Sequence, residues 1–100
     1  MQKVKTYTLY NDPGHAWLKV PYADLVKLGI ERAISPYSYM YGQSAYLEED
    51  RDLSLFIIAM RKTGKEIKIK DVYTSKDSKI RSYRNYNSEQ FNTMPSGIAL

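Results

Sequence analysis

Apolar and polar residues alternate in short runs along most of this chain, and only one long stretch recurs with helical spacing. Residues 3–10, Lys-Val-Lys-Thr-Tyr-Thr-Leu-Tyr, are rich in β-branched and aromatic types and read as a strand. Asn11-Asp12-Pro13-Gly14 follows with the chemistry of a type II turn. Pro13 presets φ at the first central position, and Gly14 tolerates positive φ at the second. Residues 15–20 alternate again, with His15, Trp17 and Lys19 on one side and Ala16, Leu18 and Val20 on the other. The first unit is therefore a hairpin. Pro21 ends it and suits the start of a helix over 22–28, with Asp24 near the positive helix end. Leu25 and Leu28 share a face, Gly29 supplies a left-handed ending, and Ile30 folds back as its apolar partner.

The second unit repeats this order. Residues 36–41 alternate, which places Tyr37, Tyr39 and Tyr41 on one face of a strand. Gly42-Gln43 fits a two-residue type II′ turn, and residues 44–48 return. Glu49-Asp50-Arg51-Asp52 opens a helix, with Asp50 or Asp52 as its N-cap. Leu53, Phe56, Ile57 and Met60 form its core stripe, which Ile58 and Ala59 widen, and Gly64 closes it. Residues 66–73 alternate as a further strand, and 79–86 can add a last one. The expected fold is α+β, with two helices on a mostly antiparallel sheet in the order β-β-α-β-β-α-β. One domain spans 1–87, and 88–100 reads as a disordered or partner-ordered tail.

Composition narrows the function classes. No apolar run reaches the roughly 20 residues of a membrane span. The absence of cysteine excludes disulfides, thiol catalysis and thiolate-bound zinc. Together with the lack of a leader-like apolar segment, this points to the cytoplasm. The net charge of +4 is uneven. Residues 1–50 carry five basic and six acidic residues, whereas 51–100 carry ten and five. Ten tyrosines suit half-buried sheet positions and contact surfaces alike.

Candidate chemistry is sparse. No cofactor or nucleotide-binding motif is present, so no cofactor is expected. His15, the single histidine, follows Asp12, and the two are the candidates for acid–base catalysis, with Glu48 or Asp50 nearby as carboxylates. The run Glu48, Glu49, Asp50, Asp52 can hold a hard cation in principle. It matches no metal-binding loop, and acids at a helix N-terminus already explain it. Lys68, Lys70, Lys79, Arg81 and Arg84 interleave with Tyr73, Tyr83 and Tyr86. That pattern can neutralise phosphates and stack on unpaired bases, so Lys68, Lys70, Lys79, Arg81, Tyr83 and Arg84 are candidate nucleic-acid contacts.

The string Tyr10-Asn-Asp-Pro-Gly-His-Ala-Trp-Leu-Lys-Val-Pro21, followed by Leu28-Gly-Ile30, Ile34-Ser-Pro-Tyr-Ser-Tyr39 and Tyr46-Leu-Glu-Glu-Asp50, resembles a group of small proteins of bacterial phages, prophages and plasmids. The resemblance spans about residues 7–86. It implies a mobile-element setting and, by association with such elements, a host or phage protein as partner, a defence complex among them. Three functions follow as expectations. The first is a non-enzymatic protein-binding module using Tyr37, Tyr39, Tyr41 and Trp17. The second is a nucleic-acid-binding accessory protein using 62–86. The third and least favoured is a small hydrolase built on His15. Pairing of two copies through an open sheet edge is compatible with each.

Overall fold

The computed structural model describes residues 4–92 and has the expected α+β architecture: a six-stranded, mostly antiparallel sheet with helices on one side. The strands are β1 (Lys5–Asn11), β2 (Ala16–Pro21), β3 (Tyr39–Tyr41), β4 (Ser44–Glu48), β5 (Ile67–Tyr73) and β6 (Arg84–Asn85). The helices are α1 (Tyr22–Leu28), α2 (Asp52–Lys62) and a short α3 (Ser88–Asn92). The sheet runs β5-β1-β2-β4-β3-β6. The two hairpins lie side by side through the antiparallel pair β2–β4, and β5 joins β1 in parallel. No helix among the described residues is long and apolar enough to cross a membrane.

Register sorts every strand residue onto one of two faces. Leu9 stands opposite Leu18, Leu18 opposite Leu47, and Val20 opposite Ala45, which stands opposite Met40. These residues meet Leu25 of α1 and Phe56 and Met60 of α2 in the main core. Phe56, Leu18, Leu25, Leu47 and Val20 are fully buried. Each such side chain contributes about 1.5–3 kcal/mol of transfer free energy. Tyr7 meets Phe56 edge-on at 5.2 Å. Its hydroxyl donates to Asp24 at 2.7 Å, as does Lys5 Nζ, so one carboxylate pins α1 to β1. Burial opposes the charge on Asp24, but these two hydrogen bonds outweigh it and hold the carboxyl below its ordinary range.

Several local expectations hold. Gly29 takes φ 72°, and Ile30 N–H reaches back to Leu25 O at 3.0 Å, the expected Schellman ending. Gly42 takes φ 61° as the first central residue of the β3–β4 turn, while no other residue type has positive φ among the described residues, which fits type II′.

Others are corrected. Gly14 is not in the positive-φ region, so the β1–β2 loop is no type II turn. Asp12 builds it instead, accepting from the N–H groups of Gly14 and His15 at 3.0 and 2.9 Å. The third strand starts at Tyr39 and not at Pro36. The cause is Asp52, which is fully buried and accepts from Ser35 N–H, Ser35 Oγ (2.7 Å) and Ser38 Oγ (2.5 Å). Those bonds hold 35–38 as a turn. They also draw the Asp52 carboxylate inward, so it caps nothing: the N-cap position of α2 is Arg51, without a side-chain bond. Ile58 does not widen the core stripe, being 52 % exposed. Residues 79–86 form a 3-10 turn at Lys79–Ser82 before the two-residue β6. Finally, the domain runs past 87. Phe91 of α3 is buried and stacks on Tyr22 at 4.1 Å, because the main core is open at that end without it. Of the expected tail, residues 93–100 lie outside the described residues.

Replacing Asp52 with Ala leaves two serine hydroxyls and a backbone N–H without their acceptor inside the core. The expected loss is about 3 kcal/mol of unfolding free energy. Urea denaturation measures it, and an unchanged midpoint would show that this carboxylate does not hold the 35–38 turn.

Candidate binding surface on the open face of the sheet

The face turned away from the helices is not bare. Thr6, Thr8 and Tyr10 of β1, Trp17 and Lys19 of β2, Tyr46 and Glu48 of β4, and Tyr39 and Tyr41 of β3 point to it by register. Lys68 and Lys70 of β5 stand beside Thr6 and Thr8 on that same face. The chain leaving β5 crosses this face as a strap over residues 78–83 before joining β3 as β6. Ile80 of the strap is buried against Trp17 and Tyr46, and Tyr10, Tyr39 and Tyr83 surround them in a second, aromatic core.

Asp12 anchors the strap. Ser78 N–H donates to its Oδ2 at 2.9 Å, Arg81 Nε donates to Oδ2 at 2.6 Å, and Arg81 Nη2 donates to Oδ1 at 2.9 Å. The Arg81 bonds, then the backbone donors, hold the Asp12 carboxyl well below the ordinary carboxylate range, against the opposing effect of burial. The guanidinium lies 5.3 Å from the Trp17 ring centroid. Glycine at 14 is explained by this packing, since a Cβ there would stand 2.9 Å from Arg81 Nη2.

Two clefts flank the strap. One, of about 380 Å³, is lined by His15, Trp17, Tyr37, Tyr39, Glu48 and Arg81. It gathers pieces of the Asp12–His15 and Tyr46–Asp50 motifs because Trp17 and Glu48 are register partners. The catalytic expectation fares poorly in it. The Asp12 carboxylate is saturated by five donors, and its hydrogen bond to His15 is with the backbone N–H of that residue and not with the ring. Glu48 Oε1 accepts from Arg51 N–H at 3.2 Å, and the exposed His15 ring packs toward Trp17 at 6.0 Å.

The other cleft, of about 490 Å³, lies between the strap and the β3–β4 turn. Tyr10, Tyr41, Tyr46, Ile80 and Tyr83 line it with Lys19, Lys79 and Ser44, and among the described residues no acidic one does. Tyr41 and Tyr83 are stacked at 4.6 Å and 15°, and Tyr46 meets Tyr83 at 5.1 Å. Burial, followed by the neighbouring Tyr83 and Tyr10, pushes the Tyr46 phenol up to about 12, so it stays protonated at neutral pH. Lys19 was not among the sequence candidates. Its alternation with Trp17 was visible, but its neighbours across the sheet were not.

The other predicted site residues divide. Trp17 is no contact surface, being 2 % exposed beneath Arg81 and Ile80. Tyr37, Tyr39 and Tyr41 are not one strand face, because Tyr37 precedes β3 in the Asp52-held turn. Tyr37 and Tyr41 are well exposed, at 74 % and 63 %, while Tyr39 is half-buried. Lys68, Lys70 and Lys79 are exposed on the open face. Arg81 is committed to Asp12, and Tyr83 is half-buried in the aromatic core. Arg84 stands opposite Met40, a core-side position, and donates to Gln90 at 2.9 Å, so it does not join the others. No protein-family model matches this chain, and neither does any curated protein or solved structure.

Two outcomes test the anchor. Arg81→Ala is expected to uncover Trp17, the single tryptophan, shifting its emission to the red and raising its quenching by acrylamide; unchanged emission would refute the packing. Asp12 has a lowered folded-state pKa, so its contribution to stability is complete above the unfolded value of about 3.9 and is lost as the pH falls below it. Asp12→Asn is therefore less stable than the parent at neutral pH, and the gap narrows in acid. A gap that stays constant down to about pH 2 would count against this linkage.

Proposed function

We propose that the chain is a binding module for nucleic acid, without a reaction of its own, working through the open face of its sheet. One observation carries the reading. Lys68, Lys70, Lys19 and Lys79 all stand exposed on that face, and none has an ion-pair partner among the described residues. Lys70, Thr8, Lys19 and Tyr46 form one row across four strands. Unpaired cations attract a polyanion and release its counterions on contact, and Glu48, the acid that β4 turns to this face, lies at the His15 cleft and not at the tyrosine-lined one. The lysines sit on rigid strands and the anchored strap, so little ordering is required on binding.

A second reading keeps a protein partner, the host or phage protein of a mobile-element setting. What favours it is Tyr37, 74 % exposed at the rim of the His15 cleft, a position from which an aromatic ring can anchor in a partner. The hydrolase reading is not carried forward, because the carboxylate nearest His15 in sequence is fully engaged.

Fluorescence anisotropy with labelled oligonucleotides over a salt series tests the first reading. Four phosphate contacts give a slope of log K against log salt of about −3. Lys68→Ala/Lys70→Ala is expected to weaken binding and reduce that slope by about 1.4. Absence of binding to single strands and duplexes at low salt would reject the nucleic-acid reading and leave the Tyr37 surface to be examined.

A further inference from the structure

We infer that the cleft between the strap and the β3–β4 turn is a stacking site for one unpaired base, which makes the open face selective for single strands over duplexes. This rests on the nucleic-acid reading and goes beyond it, since lysines alone do not distinguish the two forms.

The argument begins with what the cleft offers. Its walls are aromatic and its charged groups are the cations Lys19 and Lys79. Tyr41 keeps 63 % of its surface exposed although Tyr83 is stacked against it, so one ring face remains open. Tyr83 is backed in turn by Tyr46, and Ile80 closes the layer beneath. The platform is thus assembled before any ligand arrives, which spares the entropy of ordering it. A base stacked on Tyr41 would have its phosphate within the field of Lys19 and Lys79. At about 490 Å³ the cleft lies within the range that encloses small ligands, with room for a single base and its sugar.

The row of register partners supplies the path to the cleft. From β5 to β3 there are four inter-strand steps of about 4.8 Å, or about 19 Å in all. Lys70 lies at one end, Lys19 midway and Tyr39 at the other, with Tyr41 two residues further along β3 on the same face. A strand lying across the sheet would meet cations first and the stacking site last, over a site of roughly four nucleotides, at the lower end for single-strand binders. A duplex can reach the lysines but keeps its bases stacked inside, so it gains nothing from Tyr41.

The test compares a labelled thymidine strand of about 16 nucleotides with a duplex of equal length, at one low salt concentration, by anisotropy. The single strand is expected to bind about tenfold more tightly. Tyr41→Ala is expected to abolish that preference while leaving duplex binding in place. Tyr41→Phe, which retains the ring, should preserve it. Tyr73→Ala serves as the control: it is 75 % exposed, but it stands beside Asn11 on the helix side of the sheet. Unchanged Trp17 emission confirms that each variant is folded. Equal binding of both forms, or a preference that survives Tyr41→Ala, overturns the stacking site and leaves the lysine face standing. Failure of the parent protein to bind either form overturns both.

Discussion

A single carboxylate, that of Asp12, organises the open face of this sheet. It accepts two N–H groups of its own loop, one from Ser78 and two from the Arg81 guanidinium. Hydrogen bonds to an ionised acceptor are shorter and stronger than neutral ones, and the bidentate arginine adds directional specificity. The result is that a polar connection lies pinned across the sheet, where it would otherwise wander over the surface. Ile80 is pressed into the aromatic layer, Arg81 is held by the Trp17 ring, and the face is divided into two clefts. The same saturation removes Asp12 from consideration as a base. An anchoring role and a catalytic role compete for the same lone pairs.

A second carboxylate does comparable work on the helix side. Asp52 ties the 35–38 turn to the first residue of α2, and the Ser38 Oγ it binds also accepts from Glu48 N–H at 2.9 Å. Three elements therefore converge on one hydroxyl. The consequence for the surface is indirect and large. With β3 shortened to Tyr39–Tyr41, Tyr37 is released to one cleft, Tyr39 is drawn into the aromatic core, and Tyr41 is left at the other cleft beside the turn. Three tyrosines with identical spacing acquire three different environments.

The lysines of the open face lie on β5 (Lys68, Lys70), on β2 (Lys19) and on the strap (Lys79), and the last two line the tyrosine-walled cleft. Two cations thus stand at the tyrosines, and two more stand apart from them on β5. Electrostatic attraction acts over about 8–10 Å at ordinary ionic strength, whereas stacking needs contact. Under the proposed function, such a surface gathers a charged chain before it discriminates among its forms.

Much of the fold was legible from local chemistry. Alternating runs marked the strands, Gly29 and Gly42 marked endings that need positive φ, and the Phe56–Met60 stripe marked the core helix. These features depend on residues a few positions apart, whose interactions are set by backbone geometry. The N-cap of α2, the start of β3, the β1–β2 turn and the end of the domain were misread for one shared reason. Each is decided by a contact across the chain: Asp52 with Ser35 and Ser38, Asp12 with Arg81 sixty-nine residues away, Phe91 with Tyr22. The sequence by itself determined the α+β class, the hairpin–helix order and the excess of cations in the second half. Only the tertiary structure decided which of those cations share a face, which tyrosines stay exposed and why Trp17 is not one of the exposed aromatics. Sheet register and a part-buried ion pair bring together residues that have no periodic relation along the chain.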